Sequence, residues 1–247
     1  MECLGIDIGG SGIKGAIVDI AGGQLVSERV RIPTPEPATP DAVTERVREL
    51  VTQFSWQGPI GCGFPAVISN GVAKTAANID AAWIGIDVAA TFQEATGCPC
   101  VVANDADVAG LAEMRFGEGI GRTGSVLFVT IGTGIGSALF FNGQLYPNTE
   151  FGHLRLKNGL AERYASAAVR KKESLGWKAW SKRLNRFFVQ VERVLSPELI
   201  IIGGGVSRKH EKYFSMLDVQ AELLPAKLRN RAGIIGAACL AAEHLNR

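Results

Sequence analysis

Cysteine is scarce in this chain of 247 residues, and its scarcity excludes a disulfide-rich protein. The five cysteines are odd in number and follow no repeated spacing: Cys3, Cys62, Cys98, Cys100 and Cys239. Such a set does not form a disulfide framework, so we expect a reducing, cytoplasmic location. No apolar run approaches the roughly 18 residues of a membrane-spanning helix. The first residues, Met1–Gly5, are too polar for a signal peptide.

A strong charge of one sign and low-complexity sequence are also missing. The formal net charge is +2, and charged residues make up 20% of the chain against 47% hydrophobic residues. This composition is that of a globular protein with enough residues for a substantial core. No composition shift marks a linker between domains.

Two nucleotide-binding motifs are absent as well. Gly10, Gly12 and Gly15 satisfy G-x-G-x-x-G. The dinucleotide motif also needs a helix that opens at the third glycine, whereas the residues after Gly15 have the pattern of a second strand. Lys14 is followed by glycine and lacks the earlier glycine spacing of a P-loop.

The chain does contain two glycine-rich hairpins, Asp7–Asp19 and Thr130–Asn142. Each pattern predicts a strand, a tight glycine turn and a second strand, because β-branched and apolar residues flank the glycines. Glycine allows positive φ, which would direct consecutive N–H groups at one anion. The pair therefore predicts a two-sided phosphate clamp, the arrangement of a phosphoryl-transfer enzyme.

Strands and helices alternate along the rest of the chain. Four prolines lie in the last eight residues of Arg31–Pro40, so this proline-rich segment must be extended. A helix is expected over Val43–Phe54. Leu160–Leu195 is a basic helical region with an interruption expected at Gly176. Because the opening hairpin recurs halfway, we predict an α/β fold with an internal duplication.

These motifs together resemble those of the repressor/ORF/kinase (ROK) sugar-kinase family over nearly the whole chain. Beyond the two hairpins, they are Gly63–Val67, Thr75–Asp80, Asn104–Asp105, Glu150–His153, Glu162–Ser166 and Ile201–Val206. Residues Ile32–Pro40 of the proline-rich segment and the segment Thr75–Asn78 resemble segments typical of the polyphosphate-using branch of that family. The resemblance implies an actin-like ATPase (ribonuclease H-like) duplicated α/β fold, with two lobes and a sugar and phosphate cleft between them. We expect lobes at 1–105, with helix 233–247 packing back on it, and at 106–232.

The resemblance also implies roles for individual residues. Asp105 is expected to be the catalytic base, although a helix-capping role is the alternative, and Asp107 is expected to be a capping or surface carboxylate. Asp7 is expected to organise hydrated Mg²⁺. The expected sugar-binding residues are Asn78, Asn104, Asp105, Glu150, His153 and Glu162. The expected phosphate-binding residues are Gly10, Ser11, Gly12 and Lys14 on one side, Thr133 and Gly134 on the other, with Gly203, Gly204 and Gly205 for nucleotide or polyphosphate.

Two further expectations concern metal and charge. Typical members carry a cysteine-rich zinc motif after the Gly-His pair, but Leu154–Ala161 has no cysteine, so we expect no structural zinc. Treated as one helix, the basic region places Lys171, Lys178, Lys182 and Arg186 in one stripe at about 100° per residue. Polyphosphate could bind that stripe; a solvated helix face is the alternative.

The predicted reaction is transfer of a phosphoryl group from inorganic polyphosphate, ATP or both to the 6-hydroxyl of glucose, with mannose as a further acceptor left open. A strictly ATP-dependent glucokinase is the nearest alternative. A sugar-sensing regulator would carry an N-terminal helix-turn-helix, whereas here the phosphate strand begins at residue 4. A nucleic-acid binder would leave Asp105 and both glycine turns unexplained. We expect a homodimer, and neither nucleic-acid nor membrane partners.

Overall fold

The fold was analysed in a computed structural model, which describes residues 1–77, 79–156 and 159–245. Within these ranges no helix has both the length and the apolar composition needed to cross a membrane. The chain divides into two compact units. The first comprises residues 1–112 and the C-terminal residues from Arg231 onward, and the second comprises residues 113–230.

The elements are given in chain order. Up to residue 116 they are β1 (Glu2–Gly9), β2 (Gly12–Asp19), β3 (Gln24–Leu25), β4 (Val30–Ile32), α1 (Pro40–Gln53), β5 (Ile60–Phe64), β6 (Ile68–Ser69), β7 (Val72–Ala73), α2 (Val88–Thr96), β8 (Cys100–Asn104) and α3 (Asp105–Phe116). The rest are β9 (Ser125–Ile131), β10 (Ile135–Phe141), β11 (Gln144–Tyr146), β12 (Arg155–Leu156), β13 (Gly159–Leu160), α4 (Ala161–Ala165), α5 (Ala167–Lys172), α6 (Trp177–Leu195), β14 (Leu199–Gly203), β15 (Glu222–Pro225) and α7 (Ala232–Leu245). Short 3₁₀ helices lie at Ala81–Trp83, Phe151–His153, Gly205–Lys212, Phe214–Met216 and Arg229–Arg231.

The first unit is built on a sheet with strand order β3-β2-β1-β5-β8, in which β4 also pairs with β2. Strands β1 and β2 are antiparallel, whereas β1, β5 and β8 are parallel. The amphipathic helix α1 buries Val43, Val47 and Leu50, the residues at helical spacing in the sequence. Its N-cap is Thr39, whose hydroxyl accepts the N–H of Ala42. The core of this unit therefore combines the sheet with an apolar helix face.

Helix α7 packs against β1 and β5 of the same sheet. The approach is so close that a Cβ on Gly61 would overlap the carbonyl of Ala237, and one on Gly5 would overlap the carbonyl of Ile234. Here glycine is required for close backbone approach rather than for an unusual φ.

We expect Gly61→Ala to lower the free energy of unfolding by about 1–3 kcal/mol, because the added methyl group must push two backbone segments apart. Chemical denaturation would measure this difference. Gly132→Ala is the matched control, since a Cβ there meets nothing within 4 Å. It should stay within about 0.5 kcal/mol of the parent protein. Equal stability of the two variants would contradict the packing argument.

The second unit has a sheet of order β11-β10-β9-β14-β15. Strands β9 and β10 are antiparallel, and β9, β14 and β15 are parallel. Helix α6 supplies a buried face to this core, formed by Trp180, Leu184, Phe187, Phe188 and Val191. The order of a hairpin followed by two parallel strands is thus the same in both units, as the recurring glycine motif predicts.

Both predicted glycine hairpins are present. Gly10 and Ser11 connect β1 to β2, and residues 132–134 connect β9 to β10. The mixed α/β fold is confirmed. The expectation that the turn glycines adopt positive φ is wrong at two positions, because neither Gly12 nor Gly132 has a φ in the left-handed region. Gly12 instead lies against a neighbouring side chain.

The basic region is three helices rather than one. Helix α5 ends at Lys172, and α6 begins at Trp177 with Gly176 as its N-cap. The interruption predicted at Gly176 is therefore confirmed. However, Lys171 lies on α5 whereas Lys178 and Lys182 lie on α6, so the prediction of a single stripe along one helix is wrong. The residues between the two helices include Ser174 at φ 50°, which breaks the helical periodicity.

Candidate active site

The carboxyl ends of three parallel strands in the first unit bring several predicted residues to one edge of the sheet. Asp7 of β1 is paired with Gly63 of β5, and Phe64 of β5 is paired with Asn104 of β8. The first glycine turn follows β1, and Asp105 follows β8. This is the edge at which ligands bind in open α/β sheets.

Asp105 is the first residue of α3 and is half-buried. Its Oδ1 accepts the N–H of Ala106 at 2.8 Å. A carboxylate in the first helical turn is favoured by the helix dipole. Gly63 allows α3 to approach β5 closely, since a Cβ there would lie 2.7 Å from a methyl group of Val108. Asp107 is 1% exposed, so the expectation of a surface carboxylate is wrong for that residue.

Asn104 fixes the start of α3. The residue is 7% exposed, its Oδ1 accepts the N–H of Ala106 at 2.9 Å, and its Nδ2 donates to the carbonyl of Ala66 at 3.1 Å. An asparagine amide has two N–H donors. The second donor is what remains for a sugar, so the structure gives Asn104 a positioning role and its sugar contact stays a prediction.

At the first turn, Lys14 of β2 pairs with Asp7 of β1. Their Cα atoms are register partners, and Lys14 Nζ lies 2.9 Å from Asp7 Oδ2. The side chains of Lys14 and Asp7 are 26% and 20% exposed. Gly10 and Ser11 are exposed, whereas Gly12 is buried. The turn therefore presents backbone and a hydroxyl to solvent with a cation and a carboxylate directly behind it.

Arg31 is a residue of this turn that sequence reasoning missed. Its Nη2 donates to the carbonyl of Ser11 at 2.6 Å. In the sequence it stands only at the start of the proline-rich segment. Nothing in the spacing reveals that β4 pairs with β2.

In the second unit, the second glycine turn and the third glycine run meet at the carboxyl ends of β9 and β14. Gly203 is the register partner of Thr130. Gly204 has φ 77° and packs against Ile131, so that a Cβ there would lie 2.5 Å from the Ile131 carbonyl oxygen. Thr133 is exposed at this turn. The second glycine turn and the third glycine run thus lie next to each other in this unit.

Glu150, His153 and Glu162 form a cluster in the second unit. His153 Nδ1 lies 3.6 Å from Glu150 Oε2, and His153 Nε2 lies 3.7 Å from Glu162 Oε1. Burial raises the pKa of the Glu150 carboxyl above its usual value; the neighbouring His153 opposes that shift and Glu162 adds to it. Two carboxylates and an imidazole at these distances can hold sugar hydroxyls through paired hydrogen bonds.

A hydrogen-bonded scaffold holds the first part of this cluster. Ser137 Oγ of β10 donates to the carbonyl of Thr149 at 2.8 Å and accepts the N–H of Phe151 at 3.0 Å. Gly152 packs directly on the carbonyl of Ile135. The short helix that carries His153 is therefore fixed to the sheet. Asn78, the remaining predicted sugar-binding residue, lies outside the described residues.

Several cations of the basic region have structural partners. The Arg170 guanidinium lies 3.7 Å from the Trp177 ring centroid, and that ring stacks on Tyr213 at 5.8 Å with an angle of 8° between planes. Arg183 pairs with Glu173 at 2.6 Å. By contrast, Lys171, Lys178 and Lys182 are exposed. The three lysines of the predicted stripe are therefore exposed, but they lie on two separate helices.

Trp177 and Trp180 belong to this packing rather than to a stacking surface. Trp180 is fully buried, and its Nε1 donates to the carbonyl of Ala165 at 2.8 Å. Trp177 makes an edge contact with Trp180 at 5.8 Å between centroids. Core packing accounts for both rings.

Comparison with known proteins identifies the family of the chain. The chain is 47% identical over 236 residues to a polyphosphate glucokinase of Mycobacterium tuberculosis, covering 95% of this chain and 89% of that protein. It matches the crystal structure of the inorganic polyphosphate/ATP-glucomannokinase of Arthrobacter sp. strain KM with a TM-score of 0.95 and 47% identity, over 98% of this chain and 99% of that one. The fold is shared with a ROK family glucokinase of Streptomyces griseus, at a TM-score of 0.86 and 23% identity over 98% and 100% of the two chains. The model of the ROK family matches residues 3–166, and the chain belongs to the ROK family.

Proposed function

We propose that this protein is a sugar kinase that transfers a phosphoryl group from inorganic polyphosphate or ATP to the 6-hydroxyl of glucose. The observation that carries the proposal is the edge of the first sheet, where the glycine turn with Lys14 follows β1 and the half-buried Asp105 follows β8, with the parallel strand β5 between them. The relatedness to polyphosphate glucokinases and to a polyphosphate/ATP-glucomannokinase supports the donor and the acceptor.

In the reaction, the 6-hydroxyl oxygen of glucose attacks the terminal phosphorus of the donor. The new O–P bond forms as the bridging P–O bond breaks, and the shortened polyphosphate or ADP leaves. Asp105 accepts the hydroxyl proton. Because the transferred group is held in a loose transition state, most of the catalysis comes from positioning and charge neutralisation. In this proposal Lys14 and the first glycine turn contribute to both.

The sugar is held by the carboxylate and imidazole groups of the second unit. Glu150 and Glu162 accept hydrogen bonds from sugar hydroxyls, and His153 lies between them. The raised pKa of Glu150 means that it ionises at higher pH than an exposed glutamate. We infer that this carboxylate is the acid-sensitive part of glucose binding.

The residues near the first turn suit a magnesium ion that arrives with the donor. Among the residues that the structure describes, no group of three or more His, Cys, Asp or Glu is arranged to hold a metal ion. Asp7 provides one half-buried carboxylate beside the turn, and Mg²⁺ commonly takes one or two carboxylates and completes its shell with phosphates and water. When bound, the ion neutralises charge on the donor phosphates.

Lys171, Lys178 and Lys182, the exposed lysines of the predicted stripe, favour a long anionic donor. We expect the double variant Lys178→Glu/Lys182→Glu to raise KM for long-chain polyphosphate by about tenfold or more, since like charges would face the chain. KM for ATP should change much less. The measurement is steady-state kinetics with each donor at saturating glucose.

Arg193→Glu is the matched control, because Arg193 is an exposed cation near the far end of the same helix. It should leave both KM values near those of the parent protein. Equal shifts of KM for polyphosphate and for ATP in the lysine variant would show that these lysines lie on a solvated helix face that does not bind polyphosphate.

The test of the proposed function is formation of glucose 6-phosphate by the purified protein with Mg²⁺. Nucleotide-free long-chain polyphosphate and ATP are supplied separately. Turnover with polyphosphate supports the proposal in full, and turnover with ATP alone restricts it to an ATP-dependent glucokinase. Absence of turnover with both donors would overturn it. Mannose in place of glucose tests the breadth of the sugar site.

We also propose a homodimer in a reducing, cytoplasmic setting. All five cysteines are free thiols, which supports the location. Light scattering coupled to gel filtration would measure the oligomeric state.

A further inference from the structure

A third strand places an arginine beside the first glycine turn. Strand β4 pairs with β2 so that Arg31 is the register partner of Lys14, and Lys14 is the register partner of Asp7 on β1. Directly opposed residues of antiparallel strands have side chains on the same face of the sheet. Asp7, Lys14 and Arg31 therefore form a row with two cations and one carboxylate. The row has an excess positive charge next to the turn.

The guanidinium of Arg31 lies against the turn itself. Its Nη2 donates to the Ser11 carbonyl at 2.6 Å, and a Cβ on Gly12 would lie 2.7 Å from its Nε. Since Gly12 does not have a left-handed φ, the conformation alone does not require glycine at this position. A side chain at this position would instead have to displace the guanidinium of Arg31.

The same segment holds a second carbonyl of the turn. Thr34 Oγ1 donates to the Gly9 carbonyl at 2.5 Å. The C=O and N–H of a trans peptide unit point in opposite directions, so this bond turns the N–H of Gly10 away from Thr34. Both hydrogen bonds also occupy carbonyl oxygens that would repel an anion. The start of the proline-rich segment thus prepares the turn for a negative ligand.

We propose that Arg31 binds a phosphate of the donor at the first turn and that Thr34 is a positioning residue for the same turn. This inference rests on the proposed function. A guanidinium has five N–H donors in a rigid fork that suits phosphate, and the exposed Arg31 side chain uses one of its terminal nitrogens for Ser11.

The test compares Arg31→Gln with Arg31→Lys. Arg29→Gln is the matched control, because Arg29 is an exposed arginine just before β4. We expect Arg31→Gln to raise KM for polyphosphate about 10- to 100-fold, the loss typical of a charge-assisted hydrogen bond. KM for glucose and the melting temperature should not change. Arg31→Lys should recover part of the loss, since it keeps the charge but not the fork.

Calorimetric titration with tripolyphosphate and Mg²⁺ gives a second readout that does not depend on turnover. Arg31→Gln should weaken this binding by a similar factor. For the positioning role, Thr34→Val should lower kcat with intact glucose KM, and Thr34→Ser should restore it. Loss of kcat in both Thr34 variants would overturn that role.

Two outcomes separate this inference from the proposed function. Parent-like polyphosphate KM and tripolyphosphate affinity in Arg31→Gln would overturn the role of Arg31, while glucose phosphorylation by the parent protein would leave the proposed function standing. A parent protein that neither phosphorylates glucose nor binds tripolyphosphate would overturn both.

Discussion

Asp105→Asn lowers kcat for glucose phosphorylation by about 10²–10⁴-fold, the usual contribution of a general base. The asparagine amide cannot accept the proton of the 6-hydroxyl. Its side-chain oxygen can still accept the N–H of Ala106, the bond that Oδ1 makes in the parent protein. The start of α3 and the fold should therefore survive, and KM for glucose should stay within a few-fold. Single-turnover kinetics with saturating donor would measure the chemical step.

Asp87→Asn is the matched control for this variant. Asp87 is the N-cap of α2 in the same unit, and its Oδ1 accepts the N–H of Ala90 at 2.9 Å. Asparagine and aspartate are equally good N-caps, so this substitution should change neither stability nor turnover. Near-normal kcat in Asp105→Asn would remove Asp105 from the role of base and leave it as a helix-capping carboxylate.

Lys14→Met should lower kcat/KM for the donor by roughly 10²-fold, the scale seen when one donor to a developing negative charge is removed. The methionine keeps the length and apolar stem of the lysine but has no charge. Steady-state kinetics with polyphosphate and with ATP would measure the loss, and KM for glucose should remain close to that of the parent protein.

Lys14→Met also removes the ion pair between Lys14 and Asp7. Lys14 Nζ lies 2.9 Å from Asp7 Oδ2, so its removal leaves a half-buried carboxylate without that partner and lowers stability. The double variant Lys14→Met/Asp7→Asn should regain stability without regaining turnover. Lys74→Met, at an exposed lysine of the same unit, is the control. A double variant with parent-like use of both donors would show that Lys14 acts only through Asp7.

Both glycine hairpins could be predicted because their pattern is local. The β-branched flanks of Asp7–Asp19 and Thr130–Asn142 favour strands, and two or three turn residues can connect them in only a few ways. The alternation of elements then predicts the α/β class. The same local pattern gives no φ angle, and for that reason the conformational argument for Gly12 was wrong although the hairpin was right.

The basic region shows the limit of helical spacing. A stripe from Lys171 to Lys182 requires one uninterrupted helix, whereas α5 and α6 are separate. Gly176 indicated the interruption, but not the direction in which the chain continues after it. Similarly, the motif places Asn104 next to Asp105 but does not show that the Asn104 Oδ1 accepts the N–H of Ala106.

By itself, the sequence determined the two glycine hairpins and the alternation of strands and helices, because these follow from periodicity and glycine placement along neighbouring residues, whereas the polar site residues were expected from the resemblance to the ROK family. Only the tertiary structure decided which residues share an edge or a face. Asp105 lies at the carboxyl edge of the first sheet because β8 pairs with β5, and Arg31 lies at the first turn because β4 pairs with β2. Those placements depend on strand pairing between residues far apart in the chain, and the pattern within one strand does not show which distant strand lies beside it.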